Sequence, residues 1–186
     1  CDITDGHFVE NITMGIPAVQ AARRSTGLHL DVHLMIEHPE RFIDHFARCG
    51  ADSISVHCET AMHLHRTVQM IRDAGVSPGV ALGPSVSLTH LDWILEYVDY
   101  VLIIAVSPGF GGQRYIPHTM ERIRRAAKMI QDTGRDILIQ SDGGINITSA
   151  RDFAEAGVNV FTLGSALFDS EDYEDTLAEF RRRIAL

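Results

Sequence analysis

Lysine is nearly absent: Lys128 stands alone, and the 16 Lys and Arg are outnumbered by 25 Asp and Glu. The formal charge of -9 leaves no basic footprint for nucleic acid or an anionic membrane surface. Any phosphate must therefore be held locally. The three cysteines, Cys1, Cys49 and Cys58, form no CxxC pair, which speaks against a disulfide scaffold and fits a reducing cytosol. Cys49 reads as core. The longest apolar run, Val101 to Val106, falls far short of the roughly 20 residues that span a bilayer, and no basic stretch followed by an apolar run opens the chain. A soluble, cytoplasmic protein without nucleic-acid or membrane partners is expected. Pro/Gly/Ser linkers and low-complexity tracts are also missing, so residues 1–186 are read as a single domain.

What is present is an alternation. Apolar strand candidates run over Leu30–Met35, Ser53–His57, Pro78–Leu82, Tyr100–Ile104, Ile137–Gln140 and Val160–Leu163, with Cys1 to Ile3 as a further strand end. Such runs belong to parallel sheets covered on both faces by helices. Between them, Phe42/Ile43/Phe46, Leu64/Val68/Ile71, Met120/Ile123/Ala127/Ile130 and Tyr173/Leu177/Phe180/Ile184 recur at helical spacing and read as core stripes. Gly50, Gly75 and Gly157 sit where helices should reverse through a left-handed cap, Pro39 suits a helix first turn, and Asn146 and Ser170 suit N-caps. The repeat is one strand plus one helix, the unit of a doubly wound sheet or of a (β/α)8 TIM barrel. Seven such strands are countable, so the expected fold is that barrel lacking its first βα unit, which should lie upstream of Cys1.

In a parallel barrel the reacting groups project from strand C-termini, which singles out Asp2, Asp5, His33, His57, Ser107 and Asp142. Asp142 follows an apolar strand and precedes Gly143 and Gly144. Asp2 shares a strand face with Thr4. Asp5, beside Gly6, reads better as a turn residue. An imidazole inside an apolar strand, such as His33, is more often core than ligand, but two carboxylates at neighbouring strand ends would complete an N/O set suited to Zn²⁺ or a similar divalent ion. His57 raises the same question. His63 and His65, near Cys58, mimic a ligand cluster but fall at a helix start and should face solvent. The loop SerProGlyPheGlyGlyGln, residues 107–113, can aim several backbone N–H groups at an anion. Gly164 and Ser165, after the last strand, form a second such place, and Gly143 and Gly144 a third.

Together, AspIleThrAspGlyHisPheValGluAsnIleThr (2–13), LeuAspValHisLeuMet (30–35), SerProGlyPheGlyGlyGln (107–113), SerAspGlyGlyIle (141–145) and GlySerAlaLeuPhe (164–168) give a chain that resembles the ribulose-phosphate 3-epimerase family along essentially its whole length. The resemblance implies inversion of C3 of a ketopentose phosphate, D-ribulose 5-phosphate to D-xylulose 5-phosphate, through an enediolate. It implies Asp2 and Asp142 as proton carriers on opposite faces, and Asp2, His33 and Asp142 as ligands of one divalent ion, zinc first, with iron, manganese or cobalt as the other candidates. His33, Gly109, Phe110, Gly111, Gly112, Gly143, Gly144, Gly164 and Ser165 would contact substrate or its phosphate, and a homo-oligomer is expected.

The family pattern also carries a ligand histidine two positions before its first aspartate, expected here immediately before Cys1. Thr4 and Ile104 stand where the family usually has methionine, Glu10 and Gly83 where proline and asparagine are expected, and Ser107 where an acidic residue or asparagine is frequent. These departures keep a ketohexose phosphate such as allulose 6-phosphate as the rival substrate. A degenerate, non-catalytic sugar-phosphate binder is the non-enzyme rival, disfavoured because both carboxylates and the glycine loops are intact. Barrel decarboxylases built on AspxLysxxAsp are disfavoured because Thr4 holds the lysine position.

Overall fold

The computed structural model describes residues 1–185. Seven strands, β1 (Asp2–Thr4), β2 (Asp31–Met35), β3 (Ser53–His57), β4 (Ser77–Leu82), β5 (Tyr100–Ile104), β6 (Leu138–Asp142) and β7 (Val160–Thr162), pair in chain order, every pair parallel. Seven helices accompany them: α1 (Ile16–Ser25), α2 (Ile43–Arg48), α3 (Leu64–Asp73), α4 (Thr119–Thr133), α5 (Ala150–Ala156), α6 (Ser165–Phe168) and α7 (Tyr173–Ile184). The sheet curls on itself. Asp31 on β2 accepts hydrogen bonds from Tyr100 on β5 and Gln140 on β6, at 2.9 and 2.8 Å, contacts that a flat sheet of this order forbids. The result is a barrel-like wall whose two edge strands among the described residues are β1 and β7.

Alternation along the strands sorts their side chains. Val32, Leu34, Ile54, Val56, Val101 and Ile103 point outward into two buried apolar layers under the helices. The inward positions are mostly polar, contrary to the impression of uniformly apolar strands: Asp31, Ser53, Tyr100 and Gln140 bond across the interior, and His33 meets His57 above them. Among the described residues Ala81, Leu102 and Ile104 form an inward apolar cluster. The outer layers are reason enough for the strands to form, since burying an aliphatic side chain contributes about 1.5–3 kcal/mol.

Local signals fare unevenly. Gly50, Gly75 and Gly157 take φ of +95°, +78° and +117°, as helix-ending glycines should. Pro39 opens a 3-10 turn, Pro39–Arg41. Val68, Ile71, Ile123 and Ile130 are buried as their stripes required, whereas Tyr173, expected in the core, is 49% exposed and packs edge-on against Phe168. Ser170 is not the cap of α7. That place belongs to Asp172, which accepts from the Asp175 N–H, while Ser170 Oγ donates to the Leu167 carbonyl. Asn146 caps the turn ahead of α5, accepting from the Thr148 and Ser149 N–H groups, with Ser149 at the formal cap position. Helix α1 carried no apolar stripe clear enough to predict. Between β4 and β5 the crossover is made by two 3-10 turns, Leu88–Leu91 and Leu95–Tyr97. No helix among the described residues is long and apolar enough to cross a membrane.

Candidate functional site

The C-terminal ends of the strands open into a cavity of about 1260 Å³. Strand pairing sets Asp2 opposite His33 and Asp142 opposite Ile104, and the curl of the sheet then brings β1, β2 and β6 together. One ligand atom from each of Asp2, His33 and Asp142 lies within 4.8 Å of the others. His33 Nδ1 faces Asp2 Oδ1 at 3.3 Å. His33 is 3% exposed. It lines a smaller cavity of about 380 Å³, which shares Asp2 and Asp142 with the larger one, so it sits beneath the two carboxylates and not on the main cavity wall.

The two carboxylates are shifted in opposite directions. Asp2 is partly desolvated, which raises its pKa, but the hydrogen bond and charge of His33 outweigh this and hold it below the usual carboxylate range. Burial, and then the nearby charge of Asp2, pushes Asp142 up to about 6. Paired titratable groups driven apart in this way are the mark of an acid and a base sharing one task.

The glycine segments gather around the same cavity: 109–112, 143–144 and 164–165, with Phe110 among them, all line it. Gly144 has φ +70°, and a Cβ there would lie 2.3 Å from the Tyr115 backbone nitrogen, so only glycine lets these two loops approach. The 107–113 loop is braced by Gln113 Nε2, which donates to the Ser107 and Phe110 carbonyls, and by Asn11 Nδ2, which donates to the Gly109 carbonyl. Thr13 Oγ1 donates to the Asp2 carbonyl and accepts from the Thr4 N–H, clamping β1. Neither Asn11 nor Thr13 stood out in the sequence beyond the family-like stretch that contains them. Thr4 and Ile104 both line the cavity, and Thr4 is committed to Thr13 through its hydroxyl as well.

The remaining candidates separate cleanly. Asp5 is a turn residue, accepting from the His7 and Phe8 N–H groups through Oδ1 and from the Glu37 N–H through Oδ2. His63 and His65 are exposed, on the outside of the barrel. His57 lies behind His33, its Nε2 2.9 Å from the His33 Nε2, outside the three-residue cluster.

Parallel strands that present a carboxylate–imidazole–carboxylate group to a cavity at their C-termini place the chain among the (β/α)-barrel enzymes. Within that class, the model of the ribulose-phosphate 3 epimerase family matches residues 1–168. The chain is 44% identical over 181 residues to the ribulose-phosphate 3-epimerase of Bacillus subtilis, covering 97% of this chain and 83% of that protein. It is 37% identical over 186 residues to the one from Escherichia coli K12, covering 99% and 82%. The chain belongs to the ribulose-phosphate 3-epimerase family, and with it to the isomerases whose reaction is epimerisation of a pentose phosphate. Among solved structures, KGPDC from Streptococcus mutans superposes with a TM-score of 0.68 at 14% identity, covering 92% of this chain and 79% of that one. 3-Hexulose-6-phosphate synthase from Salmonella typhimurium gives 0.65 at 18%, covering 91% and 80%. At such identities the likeness speaks for the barrel fold alone.

Proposed function

We propose that this chain interconverts D-ribulose 5-phosphate and D-xylulose 5-phosphate by moving the C3 proton between two aspartates. The observation that carries the reading is the geometry at the cavity mouth, where the carboxylates of Asp2 and Asp142 gather around one shared imidazole, their pKa values shifted in opposite directions. Inversion needs a proton taken from one face of C3 and another delivered to the opposite face. Asp2 removes the proton, an enediolate forms, and Asp142 returns a proton from the other side; in the reverse direction the roles exchange. The donor set of two carboxylate oxygens and one imidazole nitrogen fits a borderline divalent ion, zinc first, and Asp2, His33 and Asp142 would hold it. When bound, that ion supplies Lewis-acid stabilisation of the negative charge developing on the substrate oxygens. The glycine segments at 109–112, 143–144 and 164–165, with Phe110 and Ser165, grip the phosphate and the sugar chain. Backbone N–H groups of these loops are anion donors there, and Arg114 lines the same cavity.

The proposal includes a further parallel strand seated between β1 and β7, for which the unpaired edges of those two strands among the described residues speak. It also includes the homo-oligomer expected from the family resemblance, checked by analytical ultracentrifugation. The chemical reading is tested by incubating the protein with ribulose 5-phosphate and Zn²⁺ or Mn²⁺ in D₂O. Deuterium at C3 of the xylulose product is the expected result, and its absence sinks the reading.

A further inference from the structure

Behind His33 runs a chain of polar groups that the reaction itself does not use. His33 Nε2 lies 2.9 Å from His57 Nε2, and the His57 Nδ1 lies 3.3 Å from Glu59 Oε2. The same Glu59 oxygen accepts from the Cys58 thiol at 3.3 Å, and Oε1 accepts from the Gly83 N–H at 3.1 Å. Arg122 Nη2 in turn donates to the Gly83 carbonyl at 3.0 Å, holding the far side of the residue whose N–H meets Glu59. His57 is fully buried, its ring packed against Phe8 with centroids 4.7 Å apart.

Each contact restricts the next. A carboxylate only accepts, so the His57 nitrogen that faces Glu59, Nδ1, must carry the proton. A neutral His57 then has a bare Nε2, which accepts. The partner it accepts from is His33 Nε2–H, and a neutral His33 protonated at Nε2 has its lone pair on Nδ1. Nδ1 is the nitrogen on the Asp2 side; without an ion it shares a proton with the Asp2 carboxylate, which can only accept, and a bound ion would take that proton's place. The opposite tautomers would set the lone pair of His57 Nδ1 against the Glu59 carboxylate. We propose that His57 and Glu59 are positioning residues that hold the His33 proton on Nε2, so that Nδ1 is the nitrogen whose lone pair a bound ion would meet between Asp2 and Asp142. The inference rests on reading Asp2, His33 and Asp142 as a metal site, because only there does the direction of that lone pair matter.

Gly83 is part of the device. A Cβ at this position would lie 2.4 Å from Glu59 Oε1, so any side chain here displaces the carboxylate. The position where the family pattern expects asparagine is the one that in this chain makes room for the relay.

The relay is read directly from the imidazole ¹⁵N shifts of the histidine-labelled, metal-free protein, in long-range ¹H–¹⁵N spectra that distinguish the two tautomers. A proton on His57 Nδ1 and a proton on His33 Nε2 are expected, whatever His33 Nδ1 shares with Asp2; a bare His57 Nδ1 or a bare His33 Nε2 overturns the proposal. Zn²⁺ affinity, measured by chelator competition, supplies the second readout. Supporting partners behind a metal-binding histidine are worth on the order of 10- to 100-fold in affinity. Glu59→Met, which removes the acceptor at similar length, is expected to lose that factor and to mix the His57 tautomers. Glu59→Gln, which keeps an acceptor oxygen, should recover most of it, and Gly83→Ala should lose affinity in the same direction. Unchanged affinity and tautomers in Glu59→Met contradict the relay. Wild-type protein that takes up no Zn²⁺ contradicts the metal reading instead, and the tautomers of the metal-free protein then decide the relay by themselves.

Discussion

The two ends of the barrel interior each hold an aspartate, and the two are built for opposite purposes. At the floor, Asp31 accepts from Ser53 Oγ at 2.6 Å, Tyr100 OH at 2.9 Å and Gln140 Nε2 at 2.8 Å, so both its oxygens are occupied by donors from β3, β5 and β6. At the mouth, Asp142 is half-buried beside another carboxylate and opens onto the large cavity. A carboxylate saturated with donors ties strands together. One left short of donors keeps its proton chemistry available, so the structural role of Asp31 and the role proposed for Asp142 differ by a count of neighbouring N–H and O–H groups, not by residue type.

Placing the same isosteric substitution at both ends is the strongest way to break that comparison. Asp142→Asn is expected to lower turnover by roughly 10²- to 10⁴-fold, the range of a lost general acid or base, while its thermal midpoint in the metal-free state stays at or above that of the wild type. Substantial turnover in this variant would remove Asp142 from the chemistry.

The second expectation concerns pH. In the folded, metal-free protein Asp142 is raised from 3.8 to about 6, so the fold favours the neutral acid. The stability linked to this group is in place below about pH 4 and is lost as pH climbs through 6, by up to about 3 kcal/mol. Asp2, whose pKa is lowered, works in the opposite sense and at lower pH: its contribution is present above its unfolded value and fades on acidification. Urea melts of wild type and Asp142→Asn between pH 4 and 7 should therefore diverge in slope, with the variant flatter. Parallel curves would show that Asp142 is an ordinary surface-like carboxylate.

Asp31→Asn is the counterpart. Its new amide N–H₂ must face either the Ser53 and Tyr100 hydroxyls or the Gln140 amide, leaving a buried donor opposed. A loss of about 1–3 kcal/mol in unfolding free energy follows, with turnover per folded molecule little changed. A smaller effect, about 1 kcal/mol, is expected for Thr13→Val, which removes the clamp on the Asp2 carbonyl and the Thr4 N–H. Both are read from denaturant midpoints.

The contrast also explains what the sequence could show. Glycines at 50, 75 and 157, apolar strands and helical stripes are local signals, and they gave six of the strands to within two residues at their ends. Asp2, His33 and Asp142 were legible because polar residues at strand ends are few. The inward polar face was not, because helices cover the outer faces and the two alternating sets of Ser53–His57 or Asp31–Met35 read as one buried run. Glu59 passed unnoticed for a different reason. Its meaning depends on Gly83, which is 24 residues away and marked only as a departure from pattern. The caps at Asp172 and the 3-10 turns between β4 and β5 were missed because Ser170 and Asp172 offer equally good local chemistry, and only the packing of α6 against α7 chooses between them.

The central claim is that Asp2 and Asp142 serve opposite faces of one carbon. It is tested most directly by following C3 deuteration of each epimer in D₂O, by NMR, with Asp2→Asn and Asp142→Asn side by side. Two-face transfer predicts that each variant, if it exchanges at all, washes deuterium into one epimer only, a different epimer for each, without inversion. Exchange of both epimers by a single variant, or inversion by either at the wild-type rate, would contradict it.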